Sequence, residues 1–191
     1  AAAFRRAEAL IFVGAAGIAV RSVAPHLVSK ARDPAVVVVD ELGRFAVPIL
    51  SGHLGGANDL AREIAGLLDG QAVLTTATDA RGIFAFDQWA RRLGCAIPDP
   101  EKIRPVASQM LAGGTAAFWS QWPVAGECPS GVVPAGQEAA QVQLTIRDTP
   151  EPALKLVPRI VWAGIGCRRG VPAERLEAAL RSGLEAAGLH P

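Results

Sequence analysis

The sequence predicts an α/β fold, on three observations. Short apolar runs rich in β-branched residues alternate with stretches of helical spacing, glycines punctuate the junctions, and half of the 191 residues are apolar, enough for a sizeable core. The expected architecture is a set of βα units around a central sheet that includes a hairpin, then a small middle subdomain, then a closing strand and helix.

The elements follow in order. "LIFVGA" is an apolar run stopped by glycine. In "GIAVRSVAPHLVSK", Ile18, Val20 or Arg21, Val23 and Leu27 recur at helical spacing, and Pro25 shortens or kinks that helix by removing an amide donor. "AVVVVD" and "RFAVPIL" flank "ELG", where Gly43 can take a positive φ, so a hairpin is predicted. A helix with Leu60, Ile64, Leu67 and Leu68 as its buried face stops near Gly70, and "AVLTTATD" reads as a strand with a polar end. After Gly82 the composition changes. "FAFDQWARRLGC" reads as a helix closed by Gly94, and "PDPEKIRPVASQMLAGG" as another beginning after Pro100. From Gly113 to Pro158 the chain is rich in Pro, Gly and Gln, with one strand candidate, "QVQLTI". "RIVWAGIGCRRG" repeats the strand-to-glycine-turn pattern, and "VPAERLEAALRSGLEAAG" is an amphipathic helix with Leu176, Leu180 and Leu184 one turn apart. The divisions expected are 1–82, 83–157 and 158–191, the last being the start of a domain cut short at Pro191. The four tryptophans, Trp89, Trp119, Trp122 and Trp162, are assigned to the core.

Composition excludes several function classes. Nineteen Lys and Arg nearly balance eighteen Asp and Glu, with no basic stripe of the kind nucleic-acid binding needs. The longest apolar stretch, "ALIFVGAAGIAV", is broken by glycines and closed by Arg21, short of the ~20 residues of a membrane span. No export signal is evident in "AAAFRRAEAL", and the missing initiator Met leads us to expect a start partway through a longer chain. Three scattered cysteines, Cys95, Cys128 and Cys167, fit a reducing cytoplasm better than a disulfide framework and lack zinc spacing.

Three glycine turns compete as ligand sites. "GAAG" and "GIGCRRG" each follow an apolar run and open a helix, where free amides and the helix dipole can hold an anion. The second has one residue too many for a dinucleotide fingerprint. "SGHLGGAND" offers more: a hydroxyl (Ser51), an imidazole (His53), bare amides (Gly55 and Gly56) and a carboxamide (Asn58). With an ordinary pKa near ~6.5, His53 could take a proton from water at neutral pH, while neighbouring amides hold the oxyanion of an attacked ester. "TTATDARG" adds Thr75, Thr76, Thr78 and Asp79 at a strand end, where open α/β sheets meet ligands. An Asp turn with a helix cap explains the same residues. Arg21 can pair with a substrate carboxylate.

Five motifs in order, "GAAGIAVRSVAP", "DPAVVVVDELGRF", "LSGHLGGANDLA", "TTATDARG" and "GIGCRRG", make this chain resemble the CbiG family, the cobalt-precorrin-5A hydrolases of anaerobic-type cobalamin biosynthesis. The resemblance covers nearly the whole chain. It implies an N-terminal region, a middle region and a CobE-like C-terminal domain of which only the first strand and helix are present. It also implies hydrolysis of the δ-lactone of a corrinoid intermediate with release of acetaldehyde, in the cytoplasm. The expected substrate-side residues are Arg21, Ser51, Gly52, Gly55, Gly56, Asn58, Thr76 and Asp79, with His53 catalytic. Cobalt belongs to the substrate, so neither a cofactor nor a protein metal site is expected. The expected partner is a small-molecule tetrapyrrole, with a homodimer or association with other corrin-pathway enzymes left open. A non-catalytic tetrapyrrole-binding module and a nucleotide-binding α/β domain using "GIGCRRG" are the alternatives.

Overall fold

The computed structural model describes residues 2–29, 32–149 and 152–190, which divide into two compact units, up to Arg91 and from Arg92 onward. In the first unit the elements run α1 (Ala2–Arg6), β1 (Ala9–Val13), α2 (Ala16–Val23), β2 (Ala35–Val39), β3 (Phe45–Leu50), α3 (Ala57–Leu67), β4 (Gln71–Ala72), α4 (Ala77–Ala80) and α5 (Phe86–Arg92). The sheet order is β1-β2-β3-β4, with β2 and β3 antiparallel and the outer pairs parallel.

A run such as "AVVVV" has no polar face to offer water, so it belongs inside a sheet covered on both sides. β2 is buried along its whole length. Its Ala35, Val37 and Val39 pack with Ala57, Ala61 and Ala65 of α3. Val36 joins Phe4 and Val23 on the opposite face, backed by Leu10 and Phe12 of β1. The hairpin forms as predicted, with Gly43 at φ +67°. The register shifts between Val36 and Val37 beside Pro48, which has no amide to give the ladder.

The buried face read for α3 holds only in part, and the apolar spacing of α2 is buried only in part as well. α3 buries Ala57, Asn58, Ala61 and Ala65, leaving Leu60 and Ile64 half-buried and Leu67 79% exposed. α2 buries Ala19 and Val23, while Ile18, Val20 and Leu27 stay in water. Small side chains let the helices lie close to a valine-covered sheet, and the leucines fall at the margins. Pro25 does limit α2, which gives way to a 3-10 turn over Ala24–His26.

In the second unit β5 (Cys95–Ala96), α6 (Ile103–Leu111), β6 (Ala116–Ser120), β7 (Val132–Pro134), β8 (Val142–Leu144), β9 (Leu154–Pro158) and α7 (Ala173–Ala186) form a sheet of order β5-β9-β8-β6-β7, parallel except for β5. The stretch expected to hold one strand therefore holds four, β6 to β9. Conversely, no strand lies over residues 159–172, where "RIVWAGIG" predicted one, and Trp162 is 97% exposed rather than in the core. α7 forms where expected, with Leu176, Leu180 and Leu184 on its less exposed side. The α/β class stands.

Candidate active site

β3 delivers the chain at Leu50 into the loop 51–56, and α3 takes it up at Ala57. The loop is wound on itself. The amides of Gly56, Ala57 and Asn58 donate to the carbonyls of His53 (3.1 Å), Ser51 (3.1 Å) and Gly52 (3.0 Å). Ser51 is left-handed at φ +55°, its hydroxyl donating to the Asp33 carbonyl at 2.9 Å. Three glycines are sterically required, Gly55 because a Cβ there would stand 2.8 Å from the Ser51 carbonyl oxygen. A Cβ on Gly52 would stand 2.7 Å from the Asn58 Oδ1, and Gly56 combines φ +83° with the Arg91 guanidinium where its Cβ would be.

This winding turns the imidazole of His53 toward two short helices. Its Nε2 lies 2.7 Å from Asp79 Oδ2 in α4, and its Nδ1 lies 3.3 Å from Asp87 Oδ2 in the first turn of α5. The side chains of all three are largely buried. Asp79 does not end a strand as expected: β4 stops at Ala72, and Thr76 stands at the N-cap of α4. Asn58 Nδ2 donates to Asp79 Oδ2 (2.8 Å) and to Thr76 Oγ1 (3.2 Å). The Thr76 hydroxyl and the Arg62 guanidinium also donate to Asp79, on Oδ2 and Oδ1 respectively. Arg62 in turn bonds Asp59 at 3.0 Å, which Arg91 approaches at 3.3 Å. A Phe84–Phe86–Trp89 aromatic cluster, its rings 5.0 to 6.5 Å apart, packs around the start of α5 that carries Asp87.

The electrostatics follow from this enclosure. The hydrogen bond to Asp87 is the main cause raising the His53 pKa to about 9; burial opposes it and Asp79 adds to it. For Asp79, burial pushes upward, but hydrogen bonds from Thr76, His53 and Arg62 outweigh it and hold the carboxyl at about 2. A pKa of about 9 keeps the ring protonated at neutral pH, between the two carboxylates. A protonated ring has no lone pair for a water proton, so the expected general-base role requires His53 to lose its proton first.

Of the predicted residues, His53, Asn58, Thr76 and Asp79 come together in one hydrogen-bonded group, and Ser51, Gly52, Gly55 and Gly56 shape the loop that carries it. Of the two glycine amides expected to hold an oxyanion, that of Gly56 is already donated to His53, and that of Gly55 has no partner among the described residues. Arg21 is exposed in the last turn of α2 and takes no part in the group. Thr78, named with the "TTATDARG" candidates, brings its hydroxyl to 3.4 Å from Nε2, whereas Asp87 and Arg62 were missed. Arg62 had a signal, standing one helical turn after Asn58 on the same face of α3. Among the described residues no group of three or more metal-ligating side chains is arranged around an ion, and no helix is long and apolar enough to cross a membrane. "GIGCRRG" lies in a segment without a strand before it, which removes the context a dinucleotide fingerprint needs.

Residues 1–79 match the family model for the cobalamin synthesis G N-terminal region. The chain is 41% identical over 204 residues to a cobalt-precorrin-5A hydrolase of Salmonella typhimurium, covering 99% of this chain and 58% of that one. It is 30% identical over 210 residues to a cobalt-precorrin-5A hydrolase of Priestia megaterium, covering 95% and 54%. The chain thus spans little more than half the length of these relatives. A crystal structure of a cobalamin biosynthesis protein G homolog from Sulfolobus solfataricus superposes with a TM-score of 0.51 at 25% identity, covering 98% of this chain and 57% of that one.

Proposed function

We propose, for a chain that belongs to the CbiG family, that it carries the reaction centre of a cobalt-precorrin-5A hydrolase and that His53 with its two carboxylates is that centre. The supporting observation is the imidazolium held between Asp79 and Asp87. Opening a δ-lactone requires water to add to the carbonyl carbon and the ring C–O bond to break. His53 supplies its proton to the departing oxygen, and a flanking carboxylate takes the proton that water loses. Transfer of that proton from the carboxyl group to the imidazole restores the starting charges. The Gly55 amide is available to the oxyanion. In the second stage the new hydroxyl gives up its proton, the adjacent C–C bond breaks with its electron pair passing to the macrocycle carbon, that carbon takes up a proton, and acetaldehyde leaves. Arg21 serves a peripheral substrate carboxylate. Cobalt enters as part of the substrate, and the reaction is cytoplasmic.

The test is acetaldehyde release from cobalt-precorrin-5A by the intact protein and its His53→Ala variant. The expected loss is at least ~100-fold. Turnover within about threefold of wild type removes His53 from the chemistry. A wild type that binds the corrinoid yet releases no acetaldehyde is a binding module instead.

A further inference from the structure

The two carboxylates at His53 are not equivalent. Asp79 is heavily engaged: Oδ2 accepts from His53 Nε2, Asn58 Nδ2 and the Thr76 hydroxyl, and Oδ1 accepts from Arg62. The oxygen that faces His53 thus carries more donors than its two lone pairs. Its donors come from the 51–56 loop, from α3 and from the N-cap of α4, so moving Asp79 breaks contacts to each of them. Asp87 is lightly held. Its Oδ1 accepts only the amide of its neighbour Gln88, at 3.0 Å, and its Oδ2 faces His53 Nδ1 at 3.3 Å, well beyond the 2.7 Å on the other side. Among the described residues His53 is the only cation paired with Asp87, whereas Asp79 also has Arg62. The Thr78 hydroxyl adds further crowding at Nε2.

We infer that Asp79 is the fixed anchor of His53 and Asp87 its exchangeable partner, so that Nδ1 is the nitrogen presented to a substrate. A ring pinned at Nε2 keeps its orientation while the Nδ1 proton leaves Asp87 for an incoming oxygen. Asp87 then has open lone pairs for the proton of a water molecule. Asp79, held by four donors with none of the lone pairs of Oδ2 to spare, acts as a positioning residue. The substrate named in this step rests on the function proposed above, but the asymmetry of the pair does not.

The decisive measurement is nitrogen-15 NMR of the His53 ring in the intact protein near neutral pH, which follows each ring N–H separately. Exchange of the Nδ1 proton with water at least about tenfold faster than that of Nε2 is expected, because protection follows how firmly a group is held. Equal rates, or a faster Nε2 proton, overturn the assignment. With substrate, Asp87→Asn is expected to lower kcat about 10- to 100-fold with KM near wild type and a smaller loss of Tm than Asp79→Asn, and Asp87→Glu to recover part of the kcat loss. Asp79→Asn is expected to lower Tm. An Asp87→Asn protein that loses Tm like Asp79→Asn, with kcat per folded molecule unchanged, also overturns it. A wild type with the exchange asymmetry but no acetaldehyde release defeats the proposed function and leaves the anchor assignment standing.

Discussion

Both units of this chain bury polar side chains, and they use them differently. In the second unit the buried Gln143 donates to the Gln137 carbonyl at 2.8 Å and accepts from Thr149, and the buried Thr145 donates to the Gln121 Oε1 at 2.8 Å. Lys155, the one ion there among the described buried residues, donates to the Thr149 carbonyl and pairs with Asp148 at 3.3 Å. These bonds satisfy the backbone around β8 and β9, and each is complete without a proton moving. In the first unit the buried Asn58, Thr78 and Asp87 gather with the partly buried Asp79 around one imidazole, so acids and a base meet there. Burial makes an unmatched charge expensive, so a matched set of acids and a base persists only where the surroundings fix all of them at once. The second unit's buried amides and hydroxyls act as struts; an imidazole between two carboxylates is a candidate for chemistry.

The contrast can be broken at either end. The largest stability effect is expected from Gly56→Ala, since a left-handed alanine costs about 1–2 kcal/mol and its Cβ must also displace the Arg91 guanidinium. A loss of roughly 2–3 kcal/mol in urea unfolding is expected, together with reduced turnover. A loss under about 0.5 kcal/mol would mean that the loop is not held as described. Next comes Thr145→Val, which deprives the Gln121 Oε1 of its hydroxyl donor and should cost about 1 kcal/mol. It should leave the His53 ring resonances where they are; if they move, the contrast between strut and reaction centre fails.

The remaining effect is a slope against pH. The folded-state pKa of His53 lies above the ordinary 6.5, so its contribution to stability is complete below that value and is lost as pH rises through about 9. That of Asp79 lies below the ordinary 3.8, so its contribution is complete above that value and is lost as pH falls through about 2. Tm should therefore decline on the alkaline side toward pH 9 and beyond, and His53→Gln should flatten that decline. An unchanged alkaline slope in the variant would show that another group titrates there.

Much of the first unit was legible in the sequence. "AVVVV", the "ELG" turn and the switch from apolar run to helical spacing each carry a local physical signal, and so does Gly94, which follows α5 at φ +65°. The packing faces of α2 and α3 were not, because hydrophobicity favours leucine while close approach to the sheet favours alanine. β9 was hidden by its buried Lys155, a charge in the middle of "LKLVP" that only its tertiary partners explain. "RIVW", more apolar, took its place in the reading although no neighbouring strand pairs with it. At the candidate site, "SGHLGGAND" announced itself through residue type. Asp87 did not, because an aspartate in the first turn of a helix is ordinary and its meaning lies in a residue 34 positions away. The protonation of His53 was misjudged for the same reason, since it depends on both carboxylates.

Ser51 has a consequence of its own. Its φ of +55° is a handedness that glycine would adopt freely. Glycine there would relieve a Cβ crowded by its own backbone but would widen the ensemble of unfolded chains, and the two effects oppose each other at about 1 kcal/mol each. With the thermodynamics so nearly neutral, the hydroxyl decides what the position is for: it moors the histidine loop to the Asp33 carbonyl, just ahead of the most deeply buried strand of the unit.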